Sequence, residues 1–246
     1  MLSKAQNKYI RSLTQQKFRN EYKVFIAEGS KIAQEWLSAT GHLQMIIATE
    51  EWAEQHKAII TKHAEAEFHI VNESELAAIS TLHTPNQVML IVPMPQRKEI
   101  PVLKEWYLAL DNIQDPGNMG TIIRIADWFG INYIVCAPGS ADVYNPKVVQ
   151  SAMGGHLRVN IYEAPLASFL QSVSLPSFAA ALDGENVYGM QRRDAGVLII
   201  GNESKGISPD VMAMATKKIT IPRRGGAESL NAGVSAGILC AMLLPC

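Results

Sequence analysis

Short apolar runs separated by helical patterns recur along the chain. In its first part, apolar runs predict strands at residues 23–27, 43–48, 67–71 and 88–92, and those at 43–48 and 67–71 have the composition of buried strands. Between the strands, helical patterns cover residues 4–19, 29–38 and 50–62. Because strands and helices alternate, this part is predicted to fold as a small α/β domain.

The same alternation is stronger in the second part. Strands are predicted at residues 106–110, 133–136, 177–181 and 197–200, with a more polar candidate at 217–221. Continuous apolar strands joined by helical crossovers indicate a mostly parallel sheet with helices on both faces. Ligands bind such sheets in the loops beyond the carboxyl ends of the strands. The loops to inspect therefore follow Leu110, Leu182, Ile200 and Ile221.

A proline-rich stretch separates the two parts. Three prolines lie in the nine residues from Pro93 to Pro101. Because proline lacks a backbone donor and disfavours helix, this stretch is predicted to be an extended linker. We therefore expect a domain at 1–92, a linker at 93–102 and a second domain at 103–246, both domains being of ordinary size.

Composition excludes several classes of protein. The 246 residues carry a formal net charge of -1, which argues against a uniformly basic nucleic-acid binder but allows a local basic face. No apolar run approaches the ~20 residues of a membrane-spanning helix, and the first segment lacks the apolar core of a secretory signal. Cys136, Cys240 and Cys246 lack metal-ligand spacing, so we expect no metal site and a reducing cytoplasmic location.

The loop after the 106–110 strand contains unusual chemistry. It turns through Pro116 to Asn118 and enters a helix predicted to begin near Met119. Asn118 is therefore expected near a helix N-terminus, where free backbone donors collect. Arg124 is six residues further on and is expected to point back toward the same end of the sheet. A capped helix with one exposed arginine is the alternative interpretation.

Two later loops have similar features. Gly201 and Gly206 flank Glu203 directly after an apolar strand. Glycine lets the backbone come close to a ligand, so this loop is a candidate binding loop. An ordinary polar turn is the alternative interpretation. The loop after residue 221 feeds a helix whose start holds Ser229 and Asn231. Glycine is costly inside a helix, so the small residues there predict close packing against another backbone; they are Ala232, Gly233, Ser235, Ala236 and Gly237.

Together these loops resemble the SpoU/TrmH group of SPOUT RNA 2′-O-ribose methyltransferases over residues 103–246. The matching segments, in order, are Asn118 with Arg124, Asn145-Pro-Lys147 followed by Ser151-x-x-Gly154, Gly201-Asn-Glu203-x-x-Gly206, and Pro222 through Ser229-Leu-Asn231. Residues 1–92 are similar to the ribosomal-protein-like RNA-binding domain often joined to such a catalytic domain. That weaker match is carried by residues 19–25, Glu28 and Gly29.

The resemblance implies a fold and a cofactor. It implies a C-terminal trefoil knot, a homodimer with its active site near the subunit interface, and S-adenosylmethionine bound in a bent form by the knotted loops. No metal is required. The residues implied for cofactor binding are Leu182, Gly201, Asn202, Glu203, Ile221 and Leu230.

The resemblance also assigns the catalytic roles. Arg124 would lie beside the ribose 2′-hydroxyl and stabilise the developing alkoxide, because a guanidinium is a poor base. Asn118 and Asn231 would orient the ribose and the arginine, and Glu203 would fix the loop or the arginine. Ser229 would donate or relay a proton. The proton acceptor stays open between a phosphate oxygen, water, Ser229 and a transiently neutral arginine.

Basic residues predict the RNA surface. Six lie within the first 23 residues against a single Glu21, although a solvated amphipathic helix would show the same pattern. The candidate RNA-binding residues are Lys8, Arg11, Lys17, Arg19, Arg223 and Arg224. Ribosomal RNA is favoured over transfer RNA by the extra N-terminal domain. The alternatives are a noncatalytic RNA-binding protein and a dinucleotide enzyme, against which the missing G-x-G-x-x-G motif counts.

Overall fold

The computed structural model describes residues 2–39, 41–82, 84, 86–96 and 99–245, in which strands and helices alternate. The strands are β1 (Val24–Glu28), β2 (Met45–Thr49), β3 (Glu67–Val71), β4 (Val88–Pro93), β5 (Trp106–Asp111), β6 (Tyr133–Cys136), β7 (Asn160–Glu163), β8 (Ser177–Asn186), β9 (Gly196–Gly201) and β10 (Lys217–Thr220). The α-helices are α1 (Lys4–Ser12), α2 (Gln16–Tyr22), α3 (Ser30–Ser38), α4 (Glu50–Gln55), α5 (Lys57–Ile60), α6 (Glu73–Ile79), α7 (Pro116–Trp128), α8 (Pro146–Ala152), α9 (Leu166–Ser172), α10 (Pro209–Met214) and α11 (Ala232–Leu243).

The chain packs as two compact units. The first contains the described residues up to Gln96 together with Tyr144–Leu157, and the second contains the described residues of 97–143 and 158–246. The segment 144–157 therefore departs from the expected domain at 103–246. Its packing explains why: the Tyr144 ring stacks on Phe25 of β1 at 4.8 Å, and Val149 of α8 is buried in the core of the first unit. The predicted linker at 93–102 includes Arg97 and Lys98, which lie outside the described residues, as does Cys246.

A mixed four-stranded sheet forms the centre of the first unit. Its order is β1-β4-β2-β3, with β4 antiparallel to both of its neighbours and β2 parallel to β3. Successive side chains of a strand point to opposite faces of the sheet, so the inner strands contribute residues to both faces. One face packs against α3, α4 and α5, and the other packs against α1 and α6.

The prediction of a buried strand at 67–71 is wrong in one respect. This segment does form β3, but β3 is an edge strand, and only Val71 of its five residues is buried. Phe68 and Ile70 remain 41% and 46% exposed on this edge strand, which pairs with β2 on one side. The helix predicted at 50–62 is interrupted at His56, whose ring stacks on Trp52 at 4.0 Å.

A six-stranded parallel sheet forms the second unit, and the sequence predicts five of its strands and their parallel arrangement. Its order is β10-β8-β9-β5-β6-β7, and every neighbouring pair is parallel. Helices α9 and α10 cover one face, and α7 and α11 cover the other. The strand β7 and the helix α6 are elements that the sequence patterns did not predict.

The second unit places two helix starts and one loop at the carboxyl edge of its sheet. Strand β5 ends at Asp111 just before α7, and it pairs with β9 so that Asp111 lies opposite Gly201. Helix α11 packs along α7, where a Cβ added at Gly233 would come within 2.9 Å of the Thr121 side chain. This confirms the close packing that the small residues of this helix predict. Across the described part of the chain, no helix combines the length and apolar character needed to cross a membrane.

Candidate functional site

The first side of the site is the start of α7. Asp115 is its N-cap, its carboxylate accepts a hydrogen bond from the Asn118 backbone N–H at 2.8 Å, and Pro116 occupies the first helical position. An aspartate cap followed by proline is a favoured helix start, because the cap supplies an acceptor and proline has no N–H to satisfy. The helix thus begins three residues before the predicted Met119. Asn118 is held, half-buried, in its first turn.

The second side is the loop after β9. The backbones of Asn202 and Gly206 bond to each other in both directions, and the Asn202 side chain accepts from the N–H groups of Ser204 and Lys205 at 2.9 and 3.0 Å. Gly201 permits this tight fold, because a Cβ there would come within 2.4 Å of Gly206 and Ile207 backbone atoms. The loop therefore presents Glu203 in a fixed position.

Hydrogen bonds tie this loop to the start of α7. The Asn202 amide donates to the Asn112 carbonyl at 2.7 Å. The Glu203 carboxylate accepts from the Asn118 amide at 2.9 Å and from the backbone N–H groups of Gln114 and Asp115 at 3.4 Å each. Glu203 thus holds both the turn before α7 and the Asn118 side chain.

The third side is the start of α11. Asn231 is its N-cap, with Oδ1 accepting from the N–H groups of Gly233 and Val234 at 2.9 and 3.2 Å. Its amide donates to Oδ1 of Asn118 at 2.7 Å. Asn118 therefore bridges Glu203 and Asn231, and one residue from each of the three predicted loops meets at one point.

A cavity of about 920 Å³ lies beside this junction. All six residues that the family resemblance implies for cofactor binding line it; they are Leu182, Gly201, Asn202, Glu203, Ile221 and Leu230. Its volume is in the range of small-molecule sites, about 300–1,000 Å³. The structure therefore brings the predicted cofactor residues together around one space.

The cavity combines an apolar floor with a polar rim. Ile200, Ile219 and Leu239 are buried in the floor, whereas Leu182 and Leu230 are 75% and 49% exposed. The rim carries charges of both signs, from Glu203, Lys205, Arg223, Arg224 and Glu228. Arg223 also donates to the Ala227 carbonyl at 3.2 Å and so braces its own loop. Such a space suits a small ligand that has an apolar part and charged groups.

Salt bridges stiffen the edge of this region. Lys218 of β10 bonds to Asp183 of β8 at 3.0 Å, and Lys217 bonds to Glu185 at the same distance. The hydrogen bond from Lys218 holds the pKa of Asp183 below its usual range. A Cβ at Gly184, between these acids, would come within 2.5 Å of the Ile219 backbone. Strands β8 and β10 therefore approach each other closely beside Leu182.

Arg124 and Ser229 stand apart from the hydrogen-bonded junction. Ser229 is exposed and lines the cavity. Arg124 is exposed on α7, is not a lining residue, and has no hydrogen bond or ion pair with any residue that the structure describes. A helix turns about 100° per residue, so Arg124 lies about 120° around the axis from Asn118. The structure thus does not bring Arg124 to Asn118 within one chain.

The candidate RNA-binding residues are exposed with one exception. Lys8, Arg11 and Lys17 of the first unit, and Arg223 and Arg224 of the second, lie at the surface. Arg19 is 1% exposed, and its guanidinium donates to the Leu13 carbonyl at 2.7 Å. The prediction of Arg19 as an RNA contact is therefore wrong, because this side chain ties the two N-terminal helices together inside the fold.

Two residues that shape the site were missed from the sequence. Asp111 is 3% exposed, and its carboxylate accepts from both the backbone and the hydroxyl of Ser208 at 2.7 Å. Asp115 caps α7, as described above. The Asp-Pro pair at residues 115–116 is a recognisable signal for the cap, whereas the partner of Asp111 is not evident from the sequence. Among the described residues, no group of His, Cys, Asp and Glu is placed to hold a metal ion.

Two family models and a curated relative match this chain. The SpoU rRNA Methylase family model matches residues 105–241, and a model described as an MRM3-like substrate binding domain matches residues 4–90. The 23S rRNA (guanosine(2553)-2′-O)-methyltransferase RlmP of Bacillus subtilis is 29% identical over 235 residues, covering 93% of this chain and 92% of that protein.

Solved structures resemble the whole chain. A TrmH-family structure from Porphyromonas gingivalis has a TM-score of 0.86 and 36% identity, covering 99% of this chain and 98% of that one. An AdoMet-bound rRNA methyltransferase from Sinorhizobium meliloti has a TM-score of 0.86 and 29% identity, covering 98% of this chain and 94% of that one. Since the family model spans more than half of its length, the chain belongs to the SpoU rRNA methylase family.

Proposed function

We propose that this protein is an enzyme that methylates the 2′-hydroxyl of a ribose in ribosomal RNA, with S-adenosylmethionine as methyl donor. The observation that carries the proposal is the junction of Asn118, Glu203 and Asn231 beside the 920 Å³ cavity. Membership of the SpoU family and the relative from Bacillus subtilis support the reaction and the class of RNA.

The cavity residues would hold the cofactor. Backbone groups at Gly201, Ile221 and Leu230 would bind its adenosine part over the apolar floor, with Leu182 beside them. The charges of the rim, Glu203 among them, match the ammonium and carboxylate of its amino-acid part. When bound, S-adenosylmethionine supplies a methyl group activated by a sulfonium. The protein's own contribution is then alignment and electrostatic stabilisation.

Arg124 would act on the ribose. Its guanidinium stabilises the negative charge that develops on the 2′-oxygen as the proton leaves. Asn118 and Asn231 are held by each other and are suited to orient the sugar. Ser229 at the cavity wall is suited to relay the proton. The final acceptor stays open between a phosphate oxygen of the RNA, water, Ser229 and a transiently neutral Arg124.

A homodimer would complete this arrangement. Thr121, Arg124 and Trp128 recur at three- and four-residue spacing and share one exposed face of α7. Trp128 is 84% exposed, and Val234 on the adjacent α11 is 51% exposed. Burial of this apolar surface would favour a second copy of the chain. Because Arg124 lies on the same face, pairing would place it at the subunit interface.

The trefoil knot and the location are also part of the proposal. The resemblance implies that the chain after the third motif passes through an earlier loop. The Arg193 backbone N–H, just before β9, donates to the Leu243 carbonyl at the end of α11 at 2.9 Å, so the C-terminal helix ends beside the segment that leads into β9. The cytoplasm is proposed because Cys136 and Cys240 are free and buried, as suits a reducing compartment.

The RNA would reach both units. Lys8, Arg11 and Lys17 would contact phosphates at the first unit, and Arg223 and Arg224 would do so beside the cavity. Each such contact makes binding salt-dependent. The match of residues 4–90 to a substrate-binding domain supports this role for the first unit.

The proposal is tested with labelled S-adenosylmethionine and ribosomal RNA from cells lacking this protein. The wild-type protein is expected to bind the cofactor and to label the RNA. Arg124→Ala is expected to bind the cofactor as well as the wild type does while losing transfer. A wild-type protein that does not bind the cofactor or does not label the RNA would refute the proposed function. An Arg124→Ala dimer with full transfer would refute the role of Arg124.

A further inference from the structure

Three aromatic rings form a continuous cluster on the first two helices. The Tyr9 and Tyr22 rings meet edge to face with their centroids 5.0 Å apart, and the Phe18 and Tyr22 rings are nearly parallel at 6.3 Å and 13°. Tyr22 is 44% exposed, and Phe18 is half-buried. The Tyr22 ring is therefore partly exposed to solvent and in contact with the rings of Tyr9 and Phe18.

The cluster is held in place by the fold. Buried Arg19 donates to the Leu13 carbonyl and so ties the turn between α1 and α2. The Tyr9 hydroxyl donates to the Gln44 side chain at 3.3 Å, which links α1 to the residue before β2. Helix α2 ends directly after Tyr22 with Lys23 in the left-handed conformation at φ 55°. The rings are thus pre-arranged rather than carried on a free segment.

The surroundings of the cluster are strongly cationic. The ammonium of Lys17 lies 5.8 Å from the centre of the Phe18 ring. The other cations of residues 2–23 that the structure exposes are Lys4, Lys8, Arg11 and Lys23, and the only acidic residue in this stretch of sequence is Glu21. Lys4, Lys8 and Arg11 share one solvent-facing side of α1, because they recur at four and three residues. Such a surface complements a polyanion.

We propose that Phe18 and Tyr22 form a stacking site for unpaired bases of RNA, with the flanking cations contacting the phosphates on either side. An aromatic face binds any base that is free to leave its stack, whereas a base inside a duplex offers no face. The ligand is therefore a single-stranded segment or a loop. This inference rests on the proposed function, since it names the form of RNA that the first unit recognises.

Phe68 provides a matched comparison within the same unit. It is 41% exposed, close to the value for Tyr22, but it lies on the edge strand β3 between Glu67 and His69. No cation is adjacent to it in the sequence. If aromatic exposure alone bound RNA, both sites would matter, whereas the proposed site requires a ring together with positive charge.

The test compares fluorescently labelled oligouridylate with a short RNA duplex, both binding to the full-length protein. Tyr22→Leu removes the ring and keeps the apolar bulk, and it is expected to weaken binding of the single strand about tenfold while leaving duplex binding unchanged. Tyr22→Phe and Phe68→Leu are expected to bind both RNAs as the wild type does. Replacing Lys8 and Arg11 together by Ala is expected to weaken both RNAs and to reduce the salt dependence.

Two results would overturn the stacking site. One is a folded Tyr22→Leu protein that binds the single strand like the wild type, and the other is an equal loss for single strand and duplex. If Tyr22→Leu does not fold, the site is tested by photocrosslinking an oligonucleotide that contains 4-thiouridine to the wild-type protein. Crosslinks within α2 are expected. Their absence from α2 would refute the site. Cofactor binding is measured on the same samples. Its absence would refute the proposed methyl transfer without affecting the stacking result.

Discussion

The side-chain amide of Asn231 donates a 2.7 Å hydrogen bond to the side-chain oxygen of Asn118, which is 113 residues earlier in the chain. Each asparagine lies at the start of a helix, α11 and α7 respectively. Because Asn118 also donates to Glu203, a single hydrogen-bonded chain joins the two helix starts and the loop after β9. The geometry of the site depends on this connection.

Replacement of Glu203 by Gln is expected to lower the rate of methyl transfer about 10- to 100-fold, because hydrogen bonds to a charged group contribute about 1.5–3 kcal/mol. The carboxylate accepts from two backbone N–H groups and from Asn118, and a glutamine brings a competing NH₂. Steady-state kinetics measures the effect. Glu228→Gln is the control, since Glu228 lines the same cavity with no hydrogen bond to any described residue. Equal rates for the two variants would show that Glu203 does not organise the site.

A methyl group added at Gly201 is expected to weaken cofactor binding by about 5- to 150-fold. The Cβ of Gly201→Ala would collide with backbone atoms of Gly206 and Ile207 at 2.4 Å, so the loop that carries Glu203 must move. Overpacking of this kind costs about 1–3 kcal/mol. Equilibrium dialysis with labelled S-adenosylmethionine measures binding. Gly225→Ala is the matched control, because Gly225 also lines the cavity and its Cβ would meet nothing within 4 Å. If Gly201→Ala binds the cofactor normally, the loop is not part of the pocket.

Removal of the Asp111 carboxylate is expected to destabilise the second unit. Asp111→Ala leaves the backbone N–H and hydroxyl of Ser208 without their acceptor, which costs about 1–3 kcal/mol for buried groups. Denaturant unfolding measures the loss. Asp210→Ala, on the exposed first turn of α10, is expected to change stability far less. A loss of equal size in both variants would count against a special role for Asp111.

Cys136 and Cys240 are expected to resist alkylation in the folded protein. Burial raises the pKa of each thiol to about 12, and only the thiolate reacts. Each thiol has a higher pKa in the folded protein than in the unfolded chain. The folded state is therefore not penalised at neutral pH, and it loses stability as the pH rises toward 12, because the thiols of the unfolded chain ionise first. Mass spectrometry of a Cys246→Ser protein at pH 8 should show no iodoacetamide adduct until urea is added. An adduct in the native state would contradict the burial of these thiols.

Much of the second unit could be predicted from its sequence. Apolar strands with helical crossovers imply a parallel sheet, and the carboxyl ends of such strands share one edge. That rule brings the loops of Asn118, Glu203 and Asn231 to one edge, and the resemblance adds the roles of these residues. The hydrogen bonds among them could not be predicted, because they depend on the loop conformation that Asn202 and Gly206 create.

The errors have physical causes. Arg19 is predicted to contact RNA because its neighbours are basic. In the structure its guanidinium instead donates to the Leu13 carbonyl, at the turn after α1, and is buried. Residues 144–157 were assigned by their position in the chain, whereas the packing of Tyr144 and Val149 decides their unit. The direction of Arg124 relative to Asn118 can be calculated from the sequence alone. Two residues that are six positions apart in an α-helix lie on different faces of it, because the helix has 3.6 residues per turn.

Nucleoside analysis of the product tests the central claim most directly. Ribosomal RNA from cells lacking the protein is incubated with the enzyme and S-adenosylmethionine, digested and examined by mass spectrometry. We expect one 2′-O-methylated nucleoside to appear with the wild-type protein and to be absent with Arg124→Ala. A methyl group on a base, or no methylated nucleoside at all, would contradict a site built to act on a ribose hydroxyl.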